Sequence, residues 1–217
     1  MEDTGMEKRA GRIVGVLYVT GTALGILSVA LTSPVTGADD VIDAAADHGT
    51  SLTAGALAIL GMAVALALIP VFAFPVLSRV SATLARAHAL LRGVVEFGSY
   101  LPVIAGLLLV ANLGTYGGEE SLAQSLVHHD ALTSMTAVGF LGGATAFYIA
   151  LWRGRLVPRW ISCWGLVAVA PYLVGSTLTL FGVVDSMASV NVALLAPLGV
   201  QEMVLAVWLI VRGFTTR

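Results

Sequence analysis

Charge is what this chain has least of. Only 11% of its 217 residues are Asp, Glu, Lys or Arg, while 58% are hydrophobic. A soluble domain carries about a quarter charged residues and is about half apolar. Apolar surface on this scale, with a mean hydropathy of +0.93, needs lipid to cover it. A water-soluble globule is therefore excluded. Cysteine is nearly absent: Cys163 stands alone, so there is no intramolecular disulfide and no cysteine pair for a metal site. The net charge of −2 supplies no basic field, and no nucleic-acid partner is expected. Aromatic residues make up only 7% of the chain, thin for a site that must surround a carbocation.

What the chain does have is six long apolar runs, at 13–32, 52–77, 88–112, 132–152, 161–184 and 192–211. Each holds roughly the 20 residues that carry a helix across a bilayer. The runs are apolar on every face, whereas strands of a membrane barrel alternate with period two. The predicted fold is all-α: a polytopic bundle of six transmembrane helices forming a single membrane domain over 1–217. The first run is too long for a signal-peptide core and lacks a cleavage site, so it reads as a retained span.

The basic residues fix an orientation. Of the eleven Lys and Arg, all but Arg92 lie before the first run, after the second, after the fourth or after the sixth. The other three connections carry Asp39, Asp40, Asp43, Asp47, Glu119, Glu120, Asp130 and Asp185 instead. Basic connections stay on the cytoplasmic side, which puts both termini inside. Trp152, Trp160, Trp164 and Trp208 cluster near that same boundary, where amphipathic rings settle. The outer connection after the first run reads as a short surface helix through Asp40–Asp47. Pro102, Pro171 and Pro197 fall inside spans and favour kinks.

Three charges lie inside the apolar runs: Arg92, Glu96 and Glu202. Arg92 and Glu96 are four apart and share a helix face. Glu96 is ten residues beyond Arg86 and Glu202 ten before Arg212. At about 1.5 Å per residue each carboxyl sits roughly 15 Å deep, near the middle of a hydrocarbon core about 30 Å thick. An ionisable group there costs about 2.5–3.5 kcal/mol, and such groups face the bundle interior and find partners. The three therefore read as the wall of one internal polar cavity. Glu202, with Gln201 beside it and no arginine on its own helix, is the better candidate for a general acid. Glu96, paired with Arg92, is the candidate for the ionised partner. The same residues also fit a purely structural part, in which Arg92 snorkels and the cluster pins the third helix to the sixth.

Other residues enter the candidate site more weakly. His128 and His129 open the fourth run, and His129 is the one expected to turn inward as a proton relay, against a simple helix-end role beside Asp130. Phe97, Tyr100, Phe140, Tyr148 and Tyr172 are expected to wall the cavity, although packing and lipid-facing roles compete for residues at helical spacing. His48 and His88 read as interfacial. The pattern Asp39-Asp40-Val41-Ile42-Asp43 matches D-D-x-x-D, which binds magnesium diphosphate in isoprenoid enzymes. It faces outward with no arginine or lysine nearby, so a solvated acidic loop is the simpler reading. No metal and no cofactor are expected.

Several stretches resemble a large bacterial family of six-span membrane proteins known only as a domain of unknown function. They are RIVGVLYVTGTALGIL at 12–27, LLRGVVEFGSYL at 90–101, RLVPRWISCWGL at 155–166 and QEMVLAVWLIVRGF at 201–214. The resemblance implies the six-helix architecture and marks Arg92, Glu96, Pro158, Trp160 and Glu202 as family-type positions. It implies no activity. In size, apolarity and sparse buried carboxyls the chain is also similar to the small integral membrane terpene cyclases. That likeness implies an intramembrane enzyme that protonates a hydrophobic, isoprenoid-like substrate. A small carrier with three-plus-three repeats, or a sensor or scaffold without chemistry, are the alternatives. Membrane lipid and a hydrophobic small molecule are the expected partners, and a homo-oligomer is compatible with the sequence.

Overall fold

The computed structural model describes residues 2–127, 130–184 and 188–215. Among them the chain is helical throughout, as its unbroken apolar runs require. The helices are α1 (Glu2–Thr36), α2 (Val41–Val80), α3 (Ala82–Leu90), α4 (Phe97–Tyr116), α5 (Glu120–Val127), α6 (Asp130–Gly154), α7 (Arg159–Leu180) and α8 (Ser189–Arg212). A six-residue π-helical segment, Leu91–Glu96, joins α3 to α4 without a break.

Five described helical stretches are long and apolar enough to cross a membrane: Gly5–Thr36, Val41–Val80, Ala82–Tyr116, Arg159–Leu180 and Ser189–Arg212. This count corrects the six expected from the sequence. The run at 132–152 does form a helix, α6, but it is not among the five. Its last turn carries Arg153.

The helices close into a ring. α1 packs on α2 and α8, α2 on α4, α6 on α3 and the π segment, and α7 on both α6 and α8. The ring is tied at its basic end, where Arg79 Nη1 lies 2.8 Å from Oε1 of the buried Glu7 and joins the end of α2 to the start of α1. There too α8 meets α1 closely. A Cβ on Gly15 would lie 2.6 Å from the Ala206 carbonyl oxygen, and one on Gly11 2.6 Å from the Phe214 nitrogen. Small residues permit that approach.

The expected surface helix at Asp40–Asp47 corresponds to the opening of α2, set off by a non-helical His48 (φ −118°, ψ 17°). Its start is capped twice. Asp40 accepts a hydrogen bond from the Asp43 amide at 2.9 Å. Glu120, from α5, accepts from the amides of Val41 at 2.8 Å and Ile42 at 3.0 Å. These are the unpaired donors that every helix start presents. Gln124 adds a bond to the Asp39 carbonyl at 3.2 Å. The acidic pattern at 39–43 thus works as a helix-capping device.

Candidate functional site

The π segment positions the central charges. A π turn holds one residue more than an α turn and commonly marks a functional site. Here it carries Arg92 and Glu96, and its backbone lies against a notch in α6. A Cβ on Gly139 would sit 2.7 Å from the Glu96 nitrogen, and one on Gly143 2.9 Å from Arg92 Cβ. Only glycine at both positions allows the two helices to come this close. His88, one turn before Arg92, is fully buried rather than interfacial, because α6 covers it. Its ring stacks on Phe147 at 4.7 Å, and its Nδ1 lies 2.9 Å from the Gly143 carbonyl oxygen. A carbonyl only accepts, so Nδ1 carries the proton.

Arg92 is the hub. Its Nη2 lies 3.4 Å from Glu202 Oε1 and its Nη1 3.8 Å from Glu96 Oε2, with side-chain exposures of 1% for Arg92, 2% for Glu96 and 13% for Glu202. The guanidinium is also sandwiched, its carbon 5.3 Å from the Tyr18 ring centre and 5.0 Å from that of Phe140. Both are within cation–π range. Tyr100 donates its hydroxyl to Glu96 Oε1 at 3.4 Å. Arg92 therefore pairs with both carboxylates by charge, at distances longer than a good hydrogen bond. Its Nε and Nη1, with Glu96 Oε2 and Glu202 Oε1, are buried without a hydrogen-bond partner among the described residues. The cluster keeps donors and acceptors in reserve.

Those groups line a cavity of about 560 Å³. Arg92, Glu96 and Glu202 form its polar end, with Tyr100, Phe140 and Tyr172 beside them. Phe140 and Tyr172 pack at 5.0 Å, tilted. Residues of α1, α2, α6 and α8, most of them apolar, make the remaining wall. The cavity reaches the surface between α1 and α8, where its lining residues Ile26, Val29 and Val192 are 68%, 51% and 50% exposed. Gly199 of α8 meets nothing within 4 Å there. The opening lies on the flank of the helix ring, among exposed residues of α1 and α8.

The structure thus brings together Arg92, Glu96, Glu202, Tyr100, Phe140 and Tyr172. Tyr148 and Phe97 are not part of the cavity wall. Tyr148 is buried behind Glu202 and donates to Gln201 Oε1 at 2.7 Å, while Gln201 Nε2 donates to the Ile161 carbonyl at 3.0 Å. This chain fixes the rotation of α8 at the residue next to Glu202. His129 and His128 lie outside the described residues. Sequence reasoning missed Tyr18, Gln201 as an anchor, and the glycine notch. The signals were a lone tyrosine in the first run and glycines spaced 139, 142 and 143 in the fourth. Among the described residues no three His, Cys, Asp or Glu side chains converge as metal ligands would.

Fold and cavity together define a multi-pass, all-helical membrane protein with a charged pocket inside its helix ring. The chain belongs to the family described as Domain of unknown function (DUF4386), whose match covers residues 13–213. No curated protein and no solved structure matches the chain.

Proposed function

We propose that the protein is a multi-pass enzyme of the bacterial inner membrane, termini cytoplasmic, acting by proton transfer on an uncharged, isoprenoid-like substrate drawn from the bilayer. The observation that carries this reading is that both buried carboxyls and Arg92 line one cavity whose mouth lies among exposed apolar residues of α1 and α8. Its volume is within the range of small-molecule sites. Two carboxylates against one guanidinium disfavour a phosphate or diphosphate group, so the substrate is neutral at the reacting end.

Glu202 is the general acid, and Glu96, held by Arg92 and Tyr100, is the resident counter-charge. For an epoxide the step balances without a co-reactant. Glu202 gives its proton to the oxirane oxygen and the carbon–oxygen bond breaks. A neighbouring double bond supplies the electron pair that closes the ring. The resulting cation loses a proton to a carboxylate. Tyr172 and Tyr100 lie closest to shield that cation, since Arg92 already occupies the faces of Phe140 and Tyr18. The lateral opening favours this reading over a carrier, which needs a wet path to one side of the membrane.

The test uses the purified protein in lipid nanodiscs with epoxidised farnesol. The wild type is expected to yield a cyclised isomer of unchanged mass, and Glu202→Gln to fold but yield none. Full turnover by Glu202→Gln removes the assigned acid. No cyclised product from the wild type overturns the proposed chemistry.

A further inference from the structure

At the basic end of the molecule a second recess, separate from the charged cavity, lies between α7 and α8. It encloses about 500 Å³ and is lined by Arg155, Val157, Pro158, Arg159, Trp208 and Thr215. Its backbone and the Arg159 guanidinium are held in place by the fold. Arg155 takes a left-handed conformation (φ 51°), which non-glycine residues adopt rarely. Arg159 stacks its guanidinium 5.3 Å from the Trp152 ring centre. The Thr215 amide bonds the Leu156 carbonyl at 2.8 Å and closes the far wall. α7 begins here with Pro158 as N-cap and no side-chain cap, so the positive end of a 22-residue helix points into the same space.

A further observation points to the occupant. The Trp208 ring that lines the recess is also a wall of an adjoining apolar groove of about 500 Å³ along α8, lined by Val200, Met203, Val204, Val207, Val211 and Arg212. Val200, Val207 and Val211 are exposed on the lipid-facing side. One tryptophan therefore separates a cationic recess from a hydrocarbon groove, at the level where the chain changes from apolar to basic. That sequence of chemistries is the profile of a phospholipid with a net negative headgroup.

We propose that this recess binds the phosphate of an anionic diacyl phospholipid, with Arg155 and Arg159 on the phosphate and one acyl chain in the groove along α8. The planar guanidinium forks suit phosphate oxygens. A zwitterionic lipid offers the same phosphate but places its own cation against the two arginines. The site is distinct from the Arg92 cavity and does not depend on any reaction there.

The experiment is native mass spectrometry of the full chain in detergent, titrated with dioleoyl phosphatidylglycerol or dioleoyl phosphatidylcholine. One phosphatidylglycerol is expected to bind at least ten-fold tighter than phosphatidylcholine. The double variant Arg155→Gln/Arg159→Gln is expected to abolish that preference, and Trp208→Phe to weaken it several-fold. Arg9→Gln/Arg12→Gln, which removes the same charge elsewhere, is expected to keep it. Equal binding of the two lipids overturns the proposal. So does an equal loss in both double variants, which would mean diffuse electrostatic attraction, or displacement by millimolar inorganic phosphate, which would mean a free-anion site. Retention of the wild-type thermal midpoint in the variants separates loss of binding from loss of fold.

Discussion

Gly139 and Glu96 meet backbone to backbone: a methyl group on Gly139 would stand 2.7 Å from the Glu96 amide nitrogen. The approach seats the π segment and holds Arg92 and Glu96 at the centre of the ring. Gly139→Ala must push α6 away from that segment. Overpacking of this kind costs about 1–3 kcal/mol, read as a lower thermal midpoint in detergent. Gly98→Ala, where nothing lies within 4 Å, is the control and should be neutral. Equal midpoints for the two variants would show that the notch does not set the register.

Arg92 neutralises two carboxylates at once, so removing it alone leaves like charges facing each other. Arg92→Met is expected to cost about 3–5 kcal/mol, as breaking a buried ion pair does. Adding Glu96→Gln and Glu202→Gln should recover much of that loss, because no charge is then stranded. If the triple variant is as unstable as the single one, packing of the guanidinium on Tyr18 and Phe140 dominates over its charge.

Tyr148 sets the rotation of α8 through Gln201. Tyr148→Phe leaves a buried amide oxygen without its donor, which costs about 1–3 kcal/mol. In the proposed enzyme it should also lower kcat more than it raises KM, since Glu202 turns with its neighbour. An unchanged kcat would mean that Glu202 is held by Arg92 alone.

Glu120 lies outside the spans, and the Val41 amide bonded to it holds its carboxyl below the usual range, aided by Ile42 and Gln124. A lowered folded pKa gives stability that is present above the ordinary glutamate value of about 4.3 and lost as pH falls through the folded value. Acidification below that ordinary value should lower the protection of the Val41 and Ile42 amides against hydrogen exchange, measured relative to the unprotected rate at the same pH. In Glu120→Gln this acid-dependent step should disappear. Persistence of the step in Glu120→Gln would assign it to another group, such as Asp40.

The helices and the central charge cluster were legible in the sequence because each rests on a strong local signal. Long apolar runs have no other use, and Arg92, Glu96 and Glu202 are costly where they stand. The limits were equally physical. Helix α6 reads as a span by length, but it is not among the five described stretches that are long and apolar enough to cross a membrane. The π segment leaves no periodic mark in six residues. His88 looks interfacial because its burial depends on Gly143 and Phe147, more than fifty positions away in sequence. Tyr148 carries the aromatic signature of a cavity wall, but Gln201 draws it behind the cavity. Asp40 and Glu120 were read as loop acids, although both cap α2. Long-range pairing decides each case.

In the proposed enzyme, the mouth between α1 and α8 also sets the unit in which concentration counts. A molecule arriving through it is never sampled from the aqueous phase, so diluting the sample with buffer leaves its supply unchanged. Diluting with extra lipid thins that supply, and occupancy follows the mole fraction in the bilayer.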